Sequence, residues 1–147
     1  FSIRAPGFDY ELMCLGQDKL LRHMKDYEKR MDTLSKKEQD TYRDMKVVRE
    51  MYARGFEFLP IDIYESGASR FKVKDGKLLP SLSTVSGLGD KAAEAVVDAV
   101  KDGPFLSKDD FRNRTKVSKT VVDLLSDLNI LDSLPESNQL SLFDFAV

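Results

Sequence analysis

Between Val85 and Ala95 the sequence runs Val-Ser-Gly-Leu-Gly-Asp-Lys-Ala-Ala-Glu-Ala, and two glycines one residue apart leave the chain few options there. Lacking side chains, Gly87 and Gly89 let the backbone bend tightly with nothing projecting from the bend. The run that follows opens a helix, whose first amides have no partner inside it and whose dipole favours negative charge. Leu88 is expected to plug the core between two helices, and Ala92 and Ala95 to let those helices approach closely. A flat phosphate could then reach main-chain N–H groups without bulk positive charge. A Gly-x-Gly turn also serves simply to join two helices, and the glycines alone leave both readings open.

The chain has 147 residues, of which 41% are hydrophobic and 33% charged, enough for one domain or two small ones. Cys14 is the only cysteine, so no internal disulfide forms. Neither a long apolar run nor an N-terminal signal pattern is present, which reads as a cytoplasmic protein without a membrane partner. The opening on Phe1, directly in an apolar segment, suggests a piece of something longer.

Phe1 to Ala5 alternates as a short strand would, and Pro6-Gly7 ends it. Asp9 is placed to cap a helical region towards Leu34, interrupted near Gly16, with Leu20, Leu21, Met24, Tyr27 and Met31 at helical spacing. Ser35 and Glu38 form a capping-box pattern that starts a second helix, striped by Met45, Val48, Met51 and Tyr52 and ended by Gly55. Two antiparallel helices are the simplest packing. From Phe56 to Tyr64 the period changes to two, broken at Pro60, and Asp75-Gly76 marks a hairpin between 70–73 and 77–79. Beyond Pro80 the pattern predicts short helices over 81–84, 90–101, 108–114 and 119–128, then a polar tail from Pro135.

Charge is unevenly placed although the net charge is only −2. Lys108, Arg112, Arg114, Lys116 and Lys119 face only Asp109 and Asp110 in that stretch; after Lys119 every charged residue is acidic. A basic patch followed by an acidic tail points to two different partners, or to two solvated faces of opposite sign.

The stretch around Gly87 and Gly89 resembles the helix-hairpin-helix motif of polymerases and repair proteins, which binds duplex backbone without reading bases. The resemblance implies that the amides of Gly87, Gly89, Lys91 and Ala92 face phosphate oxygens across the Gly87-Leu88-Gly89 turn. It further implies a monovalent cation at the carbonyls of Ser83, Val85 and Leu88. Phe105 to Asp132 looks like a second, degenerate copy: Ser107 and Ser118 are its caps, Thr115 to Val117 its turn, and Val121, Val122, Leu124, Leu125 and Leu128 its inner face. That turn has no glycines, so Arg112, Arg114, Lys116 and Lys119 are expected to supply phosphate contacts as side chains. Two such hairpins would straddle a minor groove.

Gln139-Leu140-Ser141-Leu142-Phe143 matches the five-residue sliding-clamp-binding peptide of bacterial replication proteins; the alternative is a frayed terminus. Leu142 and Phe143 would enter a preformed cleft and Gln139 would bond at its rim. Burying the two apolar side chains is worth roughly 3–6 kcal/mol gross, much of it offset by ordering, which leaves affinity on the order of micromolar.

Taken together, the chain resembles the C-terminal region of the PolC-type DNA polymerase III alpha subunit, the replicative polymerase of low-GC Gram-positive bacteria. Phe1 to Ala5 before Phe8-Asp9, Arg54 to Phe58, Ile61 to Tyr64, Phe105 to Asp110 and Ser133 to Glu136 carry the resemblance. It implies a mainly α fold with a small β element: a helical pair with a small sheet following the polymerase fingers (1–80), a tandem helix-hairpin-helix module on double-stranded DNA (81–134), and a tail holding the clamp peptide (135–147). It also implies that the polymerase uses Mg through aspartates outside this chain, which itself needs no cofactor and is not catalytic. Asp109-Asp110 reads as a helix start, His23 as a surface or boundary residue and Cys14 as a packing residue. A repair protein with the same hairpins, or a protein–protein docking module, remains the alternative.

Overall fold

A computed structural model describes residues 8–136, so the strand expected over 1–5 and the Gln139–Phe143 peptide lie outside the described residues. The first element is a single helical turn, α1 (Tyr10–Met13), started by the Asp9 carboxylate, which accepts from Leu12 N–H at 3.1 Å. At Gly16 the chain breaks and re-enters a helix as α2 (Gln17–Lys29). After a short 3-10 turn (Met31–Thr33) comes α3 (Lys36–Ala53). Its capping box is complete: Ser35 Oγ accepts from Glu38 N–H and Glu38 Oε1 from Ser35 N–H, both at 3.2 Å. The helix closes with Gly55 N–H on Tyr52 carbonyl and Phe56 N–H on Met51 carbonyl, the paired bonds of a Schellman motif.

The helices α2 and α3 run antiparallel, as two cross-links show. Tyr42 Oη donates to Glu28 near the loop, and at the far end Tyr52 Oη donates to Met13 carbonyl (2.8 Å) while accepting from Gly16 N–H (3.3 Å). Between them lie Leu20, Met24, Met45, Val48 and Met51, all buried with Tyr10 and Met13.

The strand expected over 56–64 is reduced to one parallel bridge, Phe58 opposite Leu78. Two local features stop it. Pro60 has no N–H for a ladder. Asp62 then folds on itself: its carboxylate accepts from Tyr64 N–H, its carbonyl from Ser66 N–H, and Ser66 Oγ from Asp62 N–H. The hairpin does form, β1 (Lys72–Lys74) pairing antiparallel with β2 (Lys77–Leu79) through an Asp75-Gly76 turn with positive φ at both residues.

Past the sheet, Leu82 and Ser83 N–H donate to Gly67 and Ala68 carbonyls, tying the downstream helices to the linker. A 3-10 turn (Leu82–Thr84) leads through Val85–Gly89 into α4 (Asp90–Val100), followed by α5 (Lys108–Thr115) and α6 (Lys119–Asp127). Ala93, Val96 and Ala99 are the buried stripe of α4, so Ala92 and Ala95 lie at its edge, one residue off the expected phase. Val122 and Leu125 are buried from α6, with Val121, Leu124 and Leu128 partly covered. A single cluster of buried apolar residues extends from Tyr10 to Leu134. Cys14 is buried within it, and burial pushes its thiol up. No helix among the described residues is long and apolar enough to cross a membrane.

Tyr52 ties three segments together, and burial pushes its phenol up to about 12. A phenol protonated in the folded chain while the unfolded one ionises near 10 contributes stability below pH 10 that is lost as pH climbs towards 12. Tyr52→Phe is expected to cost about 1–2 kcal/mol in urea denaturation at neutral pH and to flatten the alkaline decline between pH 10 and 12.

Candidate nucleic-acid interface

The Val85–Gly89 turn is held by its middle residue. Leu88 is 5% exposed and Val85 2%, whereas Ser86, Gly87, Gly89 and Asp90 are all exposed. Leu88 N–H donates to Val85 carbonyl at 3.1 Å, which closes the turn with its main chain outward. The two glycines play different parts. Gly87 adopts φ +94°, and a Cβ there would stand 3.1 Å from Leu124 Cδ2 on α6. The first turn therefore packs directly on the second hairpin. Gly89 sits at φ −72°, ψ 164°, and among the described residues a Cβ added there would meet nothing within 4 Å, so they do not require a glycine at this position.

What Gly89 withholds is a cap. Ser35 and Ser118 occupy the same helix-start conformation (φ −66°, ψ 166° and φ −72°, ψ 161°), and each hydroxyl accepts from the amide three residues on. Ser107 does likewise for α5, accepting from Asp110 N–H at 3.0 Å. Among the described residues the start of α4 has no side-chain cap. Its first amides, among them those of Lys91 and Ala92, have no intrahelical partner by geometry and lie on an exposed turn at the positive end of the helix dipole.

The second turn is built otherwise. Thr115 Oγ1 donates to Phe111 carbonyl and Lys116 takes a left-handed conformation, φ 61°, which carries the chain into the Ser118 cap. Lys116 and Lys119 are exposed, as are Arg112 and Lys91. Among the described residues none of these four is engaged in an ion pair. Lys119 stands five residues before Leu124, roughly 8 Å along α6 from the side chain that touches the glycine turn. The glycine turn thus packs on the helix that the second turn opens.

Arg114 departs from the basic patch expected of it. Its guanidinium is turned into the fold, donating to the carbonyls of Ala99 (2.6 Å), Gly103 (2.9 Å) and Pro104 (2.8 Å). It also pairs with Asp110 and lies 4.5 Å over the Phe105 ring. Sequence shows only an arginine four residues after an aspartate; the carbonyls it serves belong to another helix and its linker. Asp110 accepts from Leu106 N–H as well, so the Asp109-Asp110 pair stands at a helix start. His23 is half-buried on α2.

A family model described as a helix-hairpin-helix motif matches residues 55–140. The chain belongs to that family. The match spans the linker, the β-hairpin and both helical hairpins. The chain is also similar to proteins named DNA polymerase III PolC-type: 40% identical over 143 residues in Caldanaerobacter subterraneus subsp. tengcongensis, 39% over 143 in Clostridium perfringens and 44% over 146 in Streptococcus sanguinis. These alignments cover 97–98% of the chain and 10% of each relative, so the chain spans about a tenth of the length of the curated relatives it matches.

In the helix-hairpin-helix turn the two glycines should therefore respond differently to substitution. Gly87→Val is expected to lower stability by about 2–4 kcal/mol, through strained φ and the clash with Leu124. Gly89→Ser should leave stability unchanged or raise it by up to about 1 kcal/mol by supplying the missing cap. Thermal denaturation of both variants checks this pair.

Proposed function

We propose that this chain is the part of a bacterial replicative DNA polymerase that grips duplex DNA by its phosphates and tethers the enzyme to a sliding clamp. The observation that carries the first half is the uncapped start of α4 behind an outward-facing glycine turn. A phosphate oxygen would occupy the place that a serine hydroxyl fills at α3, α5 and α6. Amides of Gly87, Gly89, Lys91 and Ala92 donate from the first hairpin, with Leu88 anchoring the turn. Lys116, Lys119 and Arg112 add charged contacts from the second, and Arg114 takes no part in them. Contacts of this kind hold the backbone without reading sequence. The carbonyls of Ser83, Val85 and Leu88, hard neutral oxygens on one turn, are where a monovalent cation would sit; that of Val85 already accepts one N–H and keeps a lone pair free.

Within this reading residues 81–134 are the gripping module, and 1–80 join it to the remainder of the polymerase. The relatives' name supports DNA-directed DNA synthesis, a nucleotidyl transfer carried out in the bacterial cytoplasm. The Mg that such chemistry uses would be held by aspartates elsewhere in the polymerase. Gln139–Phe143, on the Gln-Leu-Ser-Leu-Phe pattern, supplies the clamp contact. The tail would leave from a fixed root, since Lys108 and Asp109 N–H donate to the carbonyls of Pro135 and Glu136.

An anisotropy titration on duplex DNA at several salt concentrations tests the grip. With about 3–5 phosphate contacts, log K against log salt should fall with a slope of roughly −3 to −4.5. Gly89→Ser, stable by the preceding argument, should weaken binding several-fold on every sequence alike. A docking module for proteins would show little duplex affinity at any salt.

Leu142→Ala with Phe143→Ala should abolish capture by an immobilised sliding clamp and leave the duplex titration unchanged. Loss of DNA binding in the same variant would make the tail part of the fold.

A further inference from the structure

Arg114 is one side chain that holds three backbone carbonyls. From α5 in the second hairpin it reaches back to Ala99 in the last turn of α4, and to Gly103 and Pro104 in the linker that joins the hairpins. Carbonyls at a helix C-terminus carry the negative end of the dipole, and a forked cation meets several of them at once. The fork is itself fixed on two sides. Asp110 pairs with it at 3.4 Å, and Phe105 lies beneath it, packed edge-on against Phe111 and stacked on Tyr64. The corner between α4 and α5 is therefore tied by a residue that a charge count would assign to DNA.

We propose that Arg114 is a positioning residue: it holds the glycine turn of the first hairpin and the Lys116–Lys119 turn of the second in the mutual orientation that lets both meet one duplex, and makes no DNA contact itself. This rests on the gripping function argued above. The two turns recognise phosphates by different groups, amides in one and lysines in the other, so a tilt between them removes one set while the other stays seated. Leu124 against Gly87 sets how closely they approach; Arg114 sets the angle.

The test compares Arg114→Lys and Arg114→Gln in the full chain, each first shown to be folded by circular dichroism. Lysine keeps the charge but is a point donor that cannot span three carbonyls; glutamine keeps two coplanar donors and no charge. Both are expected to bind duplex about 5–20-fold more weakly, lysine no better than glutamine. The salt slope should become shallower by roughly 1–2, as the phosphates of Lys116 and Lys119 are lost. Adding Lys116→Ala and Lys119→Ala to either variant should then cost little more, a non-additive cycle. Rescue of affinity and slope by lysine, or additive losses, would make Arg114 a direct phosphate contact and overturn the proposal. So would unchanged binding alongside a lowered melting temperature, the result for a purely structural residue.

A second measurement needs no DNA. Spin labels on the exposed residues Glu94 of α4 and Asn113 of α5 should give a broader distance distribution in Arg114→Gln than in the wild type; an unchanged distribution refutes positioning whatever the titration shows. Absence of salt-dependent duplex binding by the wild-type chain would sink the gripping function itself, and this inference with it.

Discussion

Leu88 buries its side chain while its neighbours on both sides stay in water, and the direction of the main chain around it follows from that one anchorage. Burial of a leucine contributes about 1.5–3 kcal/mol, enough to hold a short turn that has no other apolar residue exposed to compete for the core. With the side chain inward, the peptide units of the turn face outward. Because they are solvated, leaving their amides without a protein acceptor costs little; the same groups inside the core would each carry a desolvation penalty. Packing on one side of the turn thus makes an anion site possible on the other. The contact between Gly87 and Leu124 then sets the second hairpin beside it.

What could be read from the sequence was what adjacent residues decide between themselves. The Ser35–Glu38 box, the caps at Asp9, Ser107 and Ser118 and the Asp75-Gly76 turn all formed where the pattern placed them, because each needs only a partner two or three residues away. The strand over 56–64 failed for an equally local reason that alternation hides: Asp62 and Ser66 offer the backbone its hydrogen bonds before a neighbouring strand can. The phase of α4 slipped by one residue because Ala92, Ala93, Ala95 and Ala99 are all small, and small residues mark a stripe weakly.

Arg114 and the two glycines show the other limit. Beyond an aspartate four residues before Arg114 where Arg112 has Lys108, little nearby separates the two arginines, yet one guanidinium is folded onto α4 and the other residue is exposed. An arginine's partner is chosen by tertiary placement, and only a folded chain reveals it. Gly87 and Gly89 likewise look equivalent in a Gly-x-Gly count. One is demanded by φ and by Leu124, the other by nothing among the described residues. A glycine with open space where its Cβ would stand, at a helix start where serine is used elsewhere in the same chain, is what the proposed phosphate contact would call for.

The net charge of −2 fits this division of labour. A chain that held DNA by bulk positive charge would attract any polyanion at long range. Amides at a helix start act only within hydrogen-bond distance, and Asp90, in the first turn of α4, keeps that end from attracting anions through net charge. The lysines of the second turn would add attraction over a Debye length, about 8–10 Å at physiological salt. A phosphate backbone offers phosphates at a fixed spacing, so it can satisfy a short-range amide site and a longer-range cationic site together, provided their orientation is held. An isolated anion can satisfy only one of them. On the proposed grip, selectivity for a duplex rail over free phosphate would reside in the geometry between the hairpins, and the forked, half-buried Arg114 side chain between α4 and α5 would hold that geometry better than a flexible lysine.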